Sequence, residues 1–390
     1  MTYSSELEAL RDRRPDGTLY CLHRDRLERV ARAFRGGFPG EVMYAVKCNP
    51  EPRLLQTLVG CGFTMFDVAS MSEIELARAI APKAELFFMH PVKTVEEIAA
   101  ACERFDVRYF AVDHLDELAK VEEAVTGDRV STVVMVRLAT PGEATYDLSA
   151  KFGATPGETI EIMRRAAHEG FSVGLCFHVG SQMTDARMWA EAIRMAGGII
   201  EEAGVAIDAL DVGGGFPAAY GGIATPDPGM IFSVIDEEIR RLRLPPSVRI
   251  LCEPGRAIAA PAFTTLARVL LRKDRRLYIN EGVWGSLSES MTGRIHFPAS
   301  AMALDGEPPS GAPVEFEIQG VTCDPTDRLY TRYTLPDDIR RDHWLRFDLT
   351  GAYSIALKTA FNGFGYGEIV IVDERTARAD ETRMLASAED

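Results

Sequence analysis

No stretch of this 390-residue chain reaches the roughly eighteen uncharged apolar residues that a membrane span requires. Its opening MTYSSELEALRDRRPDG has no apolar core of signal-peptide length. These absences argue against a membrane partner and a secretory leader, so the expected location is cytoplasmic. Cationic excess is also missing: Asp plus Glu number 58 against 43 for Lys plus Arg, a net charge of −15, and no basic run gathers into a patch. A nucleic-acid groove is therefore excluded as the expectation. The seven cysteines, Cys21, Cys48, Cys61, Cys102, Cys176, Cys252 and Cys323, stand singly, without the paired spacing of a metal site or a disulfide framework. Most are expected to be reduced, buried, small apolar side chains. Internal repeats, low-complexity tracts and long linkers are absent as well.

What the chain does have is length, a 46% hydrophobic composition and a strict alternation of short apolar runs with amphipathic stretches. From Val42 to Cys252 the runs VMYAVK (42–47), FTMFDV (63–68), ELFFMH (85–90), RYFAVD (108–113), TVVMVRL (132–138), SVGLCFHVG (172–180), ALDVGG (209–214) and RILCEP (249–254) read as strands. The stretches SEIELARAIA (72–81), TVEEIAAACERF (94–105) and TIEIMRRAAHEG (159–170) repeat apolar residues at helical spacing, so the crossovers are helical and the sheet parallel. Eight such units predict an α/β fold, a closed (β/α)8 TIM barrel over residues 25–260. After Ala260 the texture changes to strand-like segments, FTTLARVLLRK, RRLYINEG, PVEFEIQG, HWLRFDL and GEIVIVD. A second, all-β, Greek-key-like domain over 261–390 is predicted, joined by 1–24 through the strand GTLYCLH (17–23).

Residues able to carry chemistry cluster at the C-terminal ends of the predicted strands, where such barrels build their sites. Lys47 ends the apolar run YAVKCNP. A lysine desolvated at a barrel mouth is suited to Schiff-base chemistry, although a salt-bridged strand-end lysine would read the same way. In DVGGGFP, Gly213, Gly214 and Gly215 let backbone N–H groups approach a phosphate, or make a plain tight turn. HVGSQ offers an imidazole, His178, and a hydroxyl, Ser181. CEPGR offers a carboxylate, Glu253, that would suit a ring nitrogen, and Arg256, a two-pronged donor for phosphate; the bland alternative is an ion pair between them. Cys323 and Asp324 in GVTCDPTD, Tyr353 in GAYS, and Phe361 with Asn362 in FNGF read individually as structural residues.

Taken in order, YAVKCN, FDVAS, HVGSQ, DVGGGFP, EPGR, TCDxxD, GAYS and FNGF resemble the ornithine and diaminopimelate decarboxylase family, the fold-type III enzymes that use pyridoxal 5'-phosphate. The resemblance spans nearly the whole chain and implies a barrel of the alanine-racemase type. It implies that Lys47 carries the cofactor, that His178 stacks on its ring and that Glu253 pairs with its nitrogen. Ser181, Gly213–Gly215, Gly255, Arg256 and Tyr353 would hold the phosphate end, while Asp67, Glu73 and Arg137 match positions around the cofactor or Lys47. It further implies a homodimer in which Cys323, as proton donor to the α-carbon, and Asp324, as ligand of a distal substrate ammonium, enter the partner's site, with Phe361 also lining the substrate.

Within that resemblance, TCD rather than TCE favours ornithine-like over diaminopimelate substrates, and the short chain is similar to bacterial ornithine or lysine decarboxylases, which implies a place in polyamine biosynthesis. One departure stands out: in GSLSESMTGRIHFP (285–298) the resemblance leads one to expect an acidic residue near Thr292 or Gly293, and Arg294 and His296 stand nearby instead. Losing a charged hydrogen bond there would weaken diamine-precursor binding by about 1.5–3 kcal/mol. Arg294 is either solvated or faces a carboxylate on a larger, conjugated substrate of a siderophore or antibiotic pathway. The run FMHPVK (88–93) also departs from the family's wording. A racemase is disfavoured by Glu253, since alanine racemase sets an arginine against the ring nitrogen. A non-catalytic regulatory relative is disfavoured by the presence of Lys47, His178, Glu253, Cys323 and Tyr353 together.

Overall fold

The computed structural model describes residues 1–140, 151–222 and 224–375. The chain forms two compact units, one of Met1–Val30, Ala218–Ala224 and Ala257–Asp390, the other of Ala31–Pro217 and Thr225–Arg256. The last fifteen residues assigned to the β domain, 376–390, lie outside the described residues.

The second unit is the barrel. Its strands are β1 (Glu41–Val42 and Tyr44–Ala45), β2 (Met65–Val68), β3 (Glu85–Phe88), β4 (Tyr109–Val112), β5 (Val133–Leu138), β6 (Ser172–Phe177), β7 (Ala209–Asp211) and β8 (Arg249–Cys252). All neighbours pair in parallel, and the ring closes through β1, whose first half pairs with β8 and second half with β2. The interruption at Met43 keeps a ladder bond, Met43 N–H donating to the Cys252 carbonyl at 2.9 Å. The interior is packed with Met43, Phe87, Tyr109, Met135, Cys176 and Leu251, so the barrel is a solid core and not a pore. Helices between strands start where capping chemistry dictates. Thr94 and Glu97 form a reciprocal capping box at Val95–Phe105, and Thr155 and Glu158 another at Pro156–His168, where Pro156 occupies the first helical turn.

At the N-terminal end of the barrel Arg249 makes ion pairs with Glu41 and Glu85 and donates to Tyr109 Oη at 2.6 Å. This closes the floor with satisfied charges and leaves the opposite end free for chemistry.

In the other unit the strand Phe263–Lys273 is the spine, antiparallel to Thr18–His23, to Arg276–Ile279 and to Trp344–Phe347. The N-terminal strand GTLYCLH does belong to this sheet. Two features add to the β-domain expectation, a helix and a parallel pair that makes the sheet mixed. The helix Glu6–Arg13, capped by Ser5, packs Ala9 and Leu10 into the sheet's core, and Gly367–Val372 runs parallel to Thr18–His23. The strands Ala299–Met302 and Tyr333–Pro336 carry short runs with weak alternation, which is why the sequence did not mark them.

Candidate active site

Lys47 is not on β1 but in the 3-10 turn Val46–Cys48 that follows it. The expected desolvated lysine is corrected by the geometry: its side chain is 40% exposed, and Nζ lies 2.6 Å from Oδ2 of Asp67, which is fully enclosed at the end of β2. Burial makes Asp67 a fixed counter-charge, while partial exposure leaves the amine reachable. Glu73, in the first turn of the helix Met71–Ile80, accepts from Ala69 N–H at 2.8 Å, and burial raises its pKa. Its carboxyl thereby ties down the loop after Asp67.

Across the mouth, two adjacent strand ends supply an acidic wall. Asp211 closes β7 and Glu253 follows β8; both are buried. Desolvation, followed by the neighbouring Asp211 charge, lifts Glu253 well above the ordinary carboxylate range, and desolvation pushes Asp211 up to about 6. The alternative of a Glu253–Arg256 ion pair is corrected: Glu253 answers to Asp211, Asp67 and Lys47, while Arg256 Nε donates to Ser181 Oγ at 3.2 Å. One oxygen of Asp67 and one of Asp211 are buried without a hydrogen-bond partner. His178 follows β6, and its Nδ1 accepts from Gly180 N–H at 3.0 Å, so its proton resides on Nε2. Burial, together with Arg137 and Lys47, holds its pKa well below the usual histidine value, so the ring is neutral. Arg137, on β5, places its guanidinium over Phe152, 5.5 Å from the ring centroid.

Between β7 and β8 runs the glycine loop. Gly213 has φ +70, and a Cβ there would lie 2.0 Å from the Phe177 carbonyl; one on Gly214 would lie 2.7 Å from the Glu253 carbonyl oxygen and 2.9 Å from His178 Nε2. Only a bare backbone fits this narrow cradle. Gly255 is bare for a different reason, since a Cβ there would meet Cys48 Cβ at 2.8 Å in the turn that carries Lys47.

The remaining candidates gather in the other unit. Cys323 is exposed, and its N–H donates to Asn362 Oδ1 at 3.0 Å. Asp324 Oδ1 accepts from the Thr326 amide and hydroxyl, both at 2.8 Å, and these bonds hold its pKa low. Phe361, also exposed, packs against Trp284 with centroids 5.6 Å apart. Tyr353 adopts φ +48, a constrained backbone for a tyrosine. Arg294, at φ +52, lies over the Tyr330 ring, 4.9 Å from its centroid.

Two contributors, and one buried lysine with no contact to the site residues named above, escaped the sequence reading. Asp211 was quoted within DVGGGFP without a role; its signal was the D-x-G spacing, realised as Gly213 N–H donating to Asp211 Oδ1 at 2.8 Å. Asp327 was quoted within TCDxxD; it is buried and accepts from Val283 N–H, Thr322 N–H and Thr322 Oγ–H, fixing the loop that bears Cys323. Lys93 is fully enclosed, bonded to the Ala111 carbonyl and paired with Glu117 at 3.0 Å, and nothing local in FMHPVK signals that burial.

The barrel mouth thus has a donor-rich end (Ser181, Arg256 and the glycine backbone), an acid-rich end with unsatisfied carboxylate oxygens, and a reachable amine. Those are the requirements of a phosphorylated pyridine aldehyde: acceptors for a ring N–H, donors for a phosphate, and a lysine for the carbonyl. Residues 24–260 match the family described as pyridoxal-dependent decarboxylase, pyridoxal binding domain. The chain is 30% identical over 361 residues to the lysine/ornithine decarboxylase of Selenomonas ruminantium, covering 90% of this chain and 88% of that one. It is 32% identical over 362 residues to the ornithine decarboxylase of Rattus norvegicus, covering 85% and 75%. Among solved structures, the lysine/ornithine decarboxylase of Vibrio vulnificus complexed with putrescine superposes with a TM-score of 0.81 at 28% identity, over 96% of this chain and all of that one. The protein belongs to the pyridoxal-dependent decarboxylases and is a pyridoxal-phosphate-dependent amino-acid decarboxylase.

Proposed function

We propose that the chain removes the α-carboxylate of a basic L-amino acid, ornithine or lysine, releasing carbon dioxide and the diamine, and that it works as a homodimer whose β domain, 1–24 with 261–390, completes the partner's site. The observation that carries this reading is the convergence at one barrel mouth of the Lys47–Asp67 pair, the Asp211–Glu253 wall and the Gly213–Gly215 cradle. Relatives named lysine/ornithine and ornithine decarboxylase support the substrate class.

When bound, the cofactor supplies a protonated ring that accepts the electron pair left behind as carbon dioxide departs. Lys47 would hold its carbonyl carbon covalently, and Asp67 keeps the lysine amine at the barrel mouth. Glu253 would accept the ring N–H. His178, neutral and fixed by Gly180, would cover a ring face without adding charge. Ser181, Gly213, Gly214, Gly215, Arg256 and Tyr353 would hold the phosphate, and Gly255 lets the Lys47 turn pack. Arg137 would add positive potential beside the reacting carboxylate. Cys323 would return a proton to the α-carbon, while Asp324, kept ionised by Thr326, and Phe361 would receive the distal end of the substrate.

A second reading is favoured by one observation. Where an acidic residue was expected, the chain has Gly293 and Arg294, and beside the Asp324 loop opens a cavity of about 440 Å3 lined by Met291, Pro325, Thr326, Arg328 and Tyr330. A larger substrate with an anionic distal group would use that space, with Arg294 as its ligand. Carbon dioxide release should be measured from L-ornithine, L-lysine, L-arginine, meso-diaminopimelate and carboxylated diamino acids. Turnover of ornithine or lysine supports the first reading; turnover confined to the carboxylated compounds replaces it with the second.

A further inference from the structure

Asp211 does more than end a strand. Strand pairing sets Asp211 opposite Leu251, and Glu253 lies two residues further along, so both side chains emerge on the same face of adjacent parallel strands. The glycine loop is tied to both residues: Gly213 N–H donates to Asp211 Oδ1 at 2.8 Å, and Glu253 N–H donates to the Gly213 carbonyl at 3.0 Å. Asp211 Oδ2 has no hydrogen-bond partner and is fully buried beside the Glu253 carboxyl. Two carboxylates in this setting repel strongly, and a buried acceptor without a donor is costly. A single proton between them resolves both problems, as it gives the orphaned oxygen a donor and removes one charge.

We propose that Asp211 and Glu253 act as one carboxyl pair sharing a proton, with Asp211 as a positioning residue that couples the side chain facing the ring nitrogen to the loop facing the phosphate. The proposal rests on the assignment of Glu253 to the ring nitrogen for its functional meaning but not for the pair itself. Among the described residues, the other charged or titratable groups acting on the pair are Lys47, Asp67 and the thiols of Cys176 and Cys252. Lys47 is committed to Asp67 at 2.6 Å, and both thiols are pushed up by burial and remain neutral. Among the described residues, the cation acting on the pair is thus one that also faces Asp67. Sharing keeps one negative charge at the ring end, enough to balance one pyridinium, whereas two full charges would over-balance it.

The test uses the full-length apo protein first. Asp211→Asn keeps an acceptor for Gly213 N–H and replaces the repelling oxygen with a donor. Glu253→Gln removes the other member. Since an acid whose folded pKa is raised binds more protons folded than unfolded, wild-type stability falls as pH rises through the pair's titration. Relative to wild type, each single variant is expected to gain about 3 °C or more in unfolding midpoint between pH 4.5 and 7.5. The double variant should gain less than the sum of the two single gains, the shortfall being the coupling that either single substitution already removes. Pyridoxal phosphate is then added and its affinity read from absorbance. Asp211→Asn should bind within about threefold of wild type, and Asp211→Ala, which frees Gly213, about tenfold or more weakly. A pH-independent difference between wild type and both single variants would overturn the shared proton. A coupled apo titration in which Glu253→Gln leaves the bound cofactor's absorbance unchanged would instead remove Glu253 from the ring nitrogen and leave the pair intact.

Discussion

Placing a methyl group on Gly214 tests whether the glycine loop is the cradle it looks to be. In Gly214→Ala the new carbon would sit 2.7 Å from the Glu253 carbonyl oxygen and 2.9 Å from His178 Nε2, where ordinary contact begins at 3.4 Å. The loop must therefore retreat by about 0.7 Å, and neither neighbour can yield easily: one is the backbone after β8 and the other an imidazole pinned by Gly180. Overpacking of this kind costs about 1–3 kcal/mol. Without cofactor the loop relieves the clash by moving outward, but with cofactor it must stand in place, so the cost falls on the bound state. At about 1.4 kcal/mol per tenfold, affinity for pyridoxal phosphate should drop roughly five- to 150-fold. The assay is absorbance titration of the apo enzyme, with Gly198→Ala as the control. That helical glycine has open space around its Cβ position, and its alanine variant should bind as wild type does. A folded Gly214→Ala protein with affinity within twofold of wild type would refute the cradle.

Further expectations follow from other parts of the molecule. Asp67→Asn removes the counter-charge of Lys47, and with the lysine 40% exposed the loss is screened to about 1–2 kcal/mol, or five- to thirtyfold in kcat/KM, checked by steady-state kinetics. Burial lowers the Lys93 pKa to about 8 despite Glu117, so the folded state binds fewer protons than the unfolded one above that value. Wild type should therefore gain stability relative to Lys93→Met as pH rises from about 8 to 10.5, measurable by denaturant titration across that range. Gly293→Asp restores an acidic side chain next to Arg294 and should lower KM for ornithine or lysine by about tenfold or more if the distal ammonium binds there, read from the same kinetics.

The barrel was legible because its strands are buried on both faces and its helices on one, so burial writes two different periods into the sequence. The site was legible for a related reason: Lys47, His178, Glu253 and the three glycines all stand where apolar strands stop, and such residues are conspicuous there. Less visible was how they are supported. Lys47 reads as a strand residue because the run VMYAV before it is apolar, yet the strand ends at Ala45 and the chain turns before the lysine. Asp211 and Asp327 were hidden because their partners are backbone N–H groups, Gly213 for one and Val283 and Thr322 for the other, and backbone donors leave no mark in a sequence. In the β domain, half-buried strands such as Ala299–Met302 carry weak alternation, and the helix Glu6–Arg13 was overlooked among charged residues although Ser5, Ala9 and Leu10 give it a cap and a buried face.

The central claim is that Lys47, held by Asp67, makes this chain a decarboxylase of basic amino acids. Its most direct test is release of labelled carbon dioxide from carboxyl-labelled L-lysine and L-ornithine by the cofactor-loaded wild type and Lys47→Ala side by side, with the cofactor linkage trapped by borohydride and mapped by mass spectrometry. The account predicts turnover by wild type, loss of at least about a thousandfold in the variant, and a trapped adduct on Lys47 alone. Equal turnover by the two proteins, or an adduct on another lysine, would contradict it.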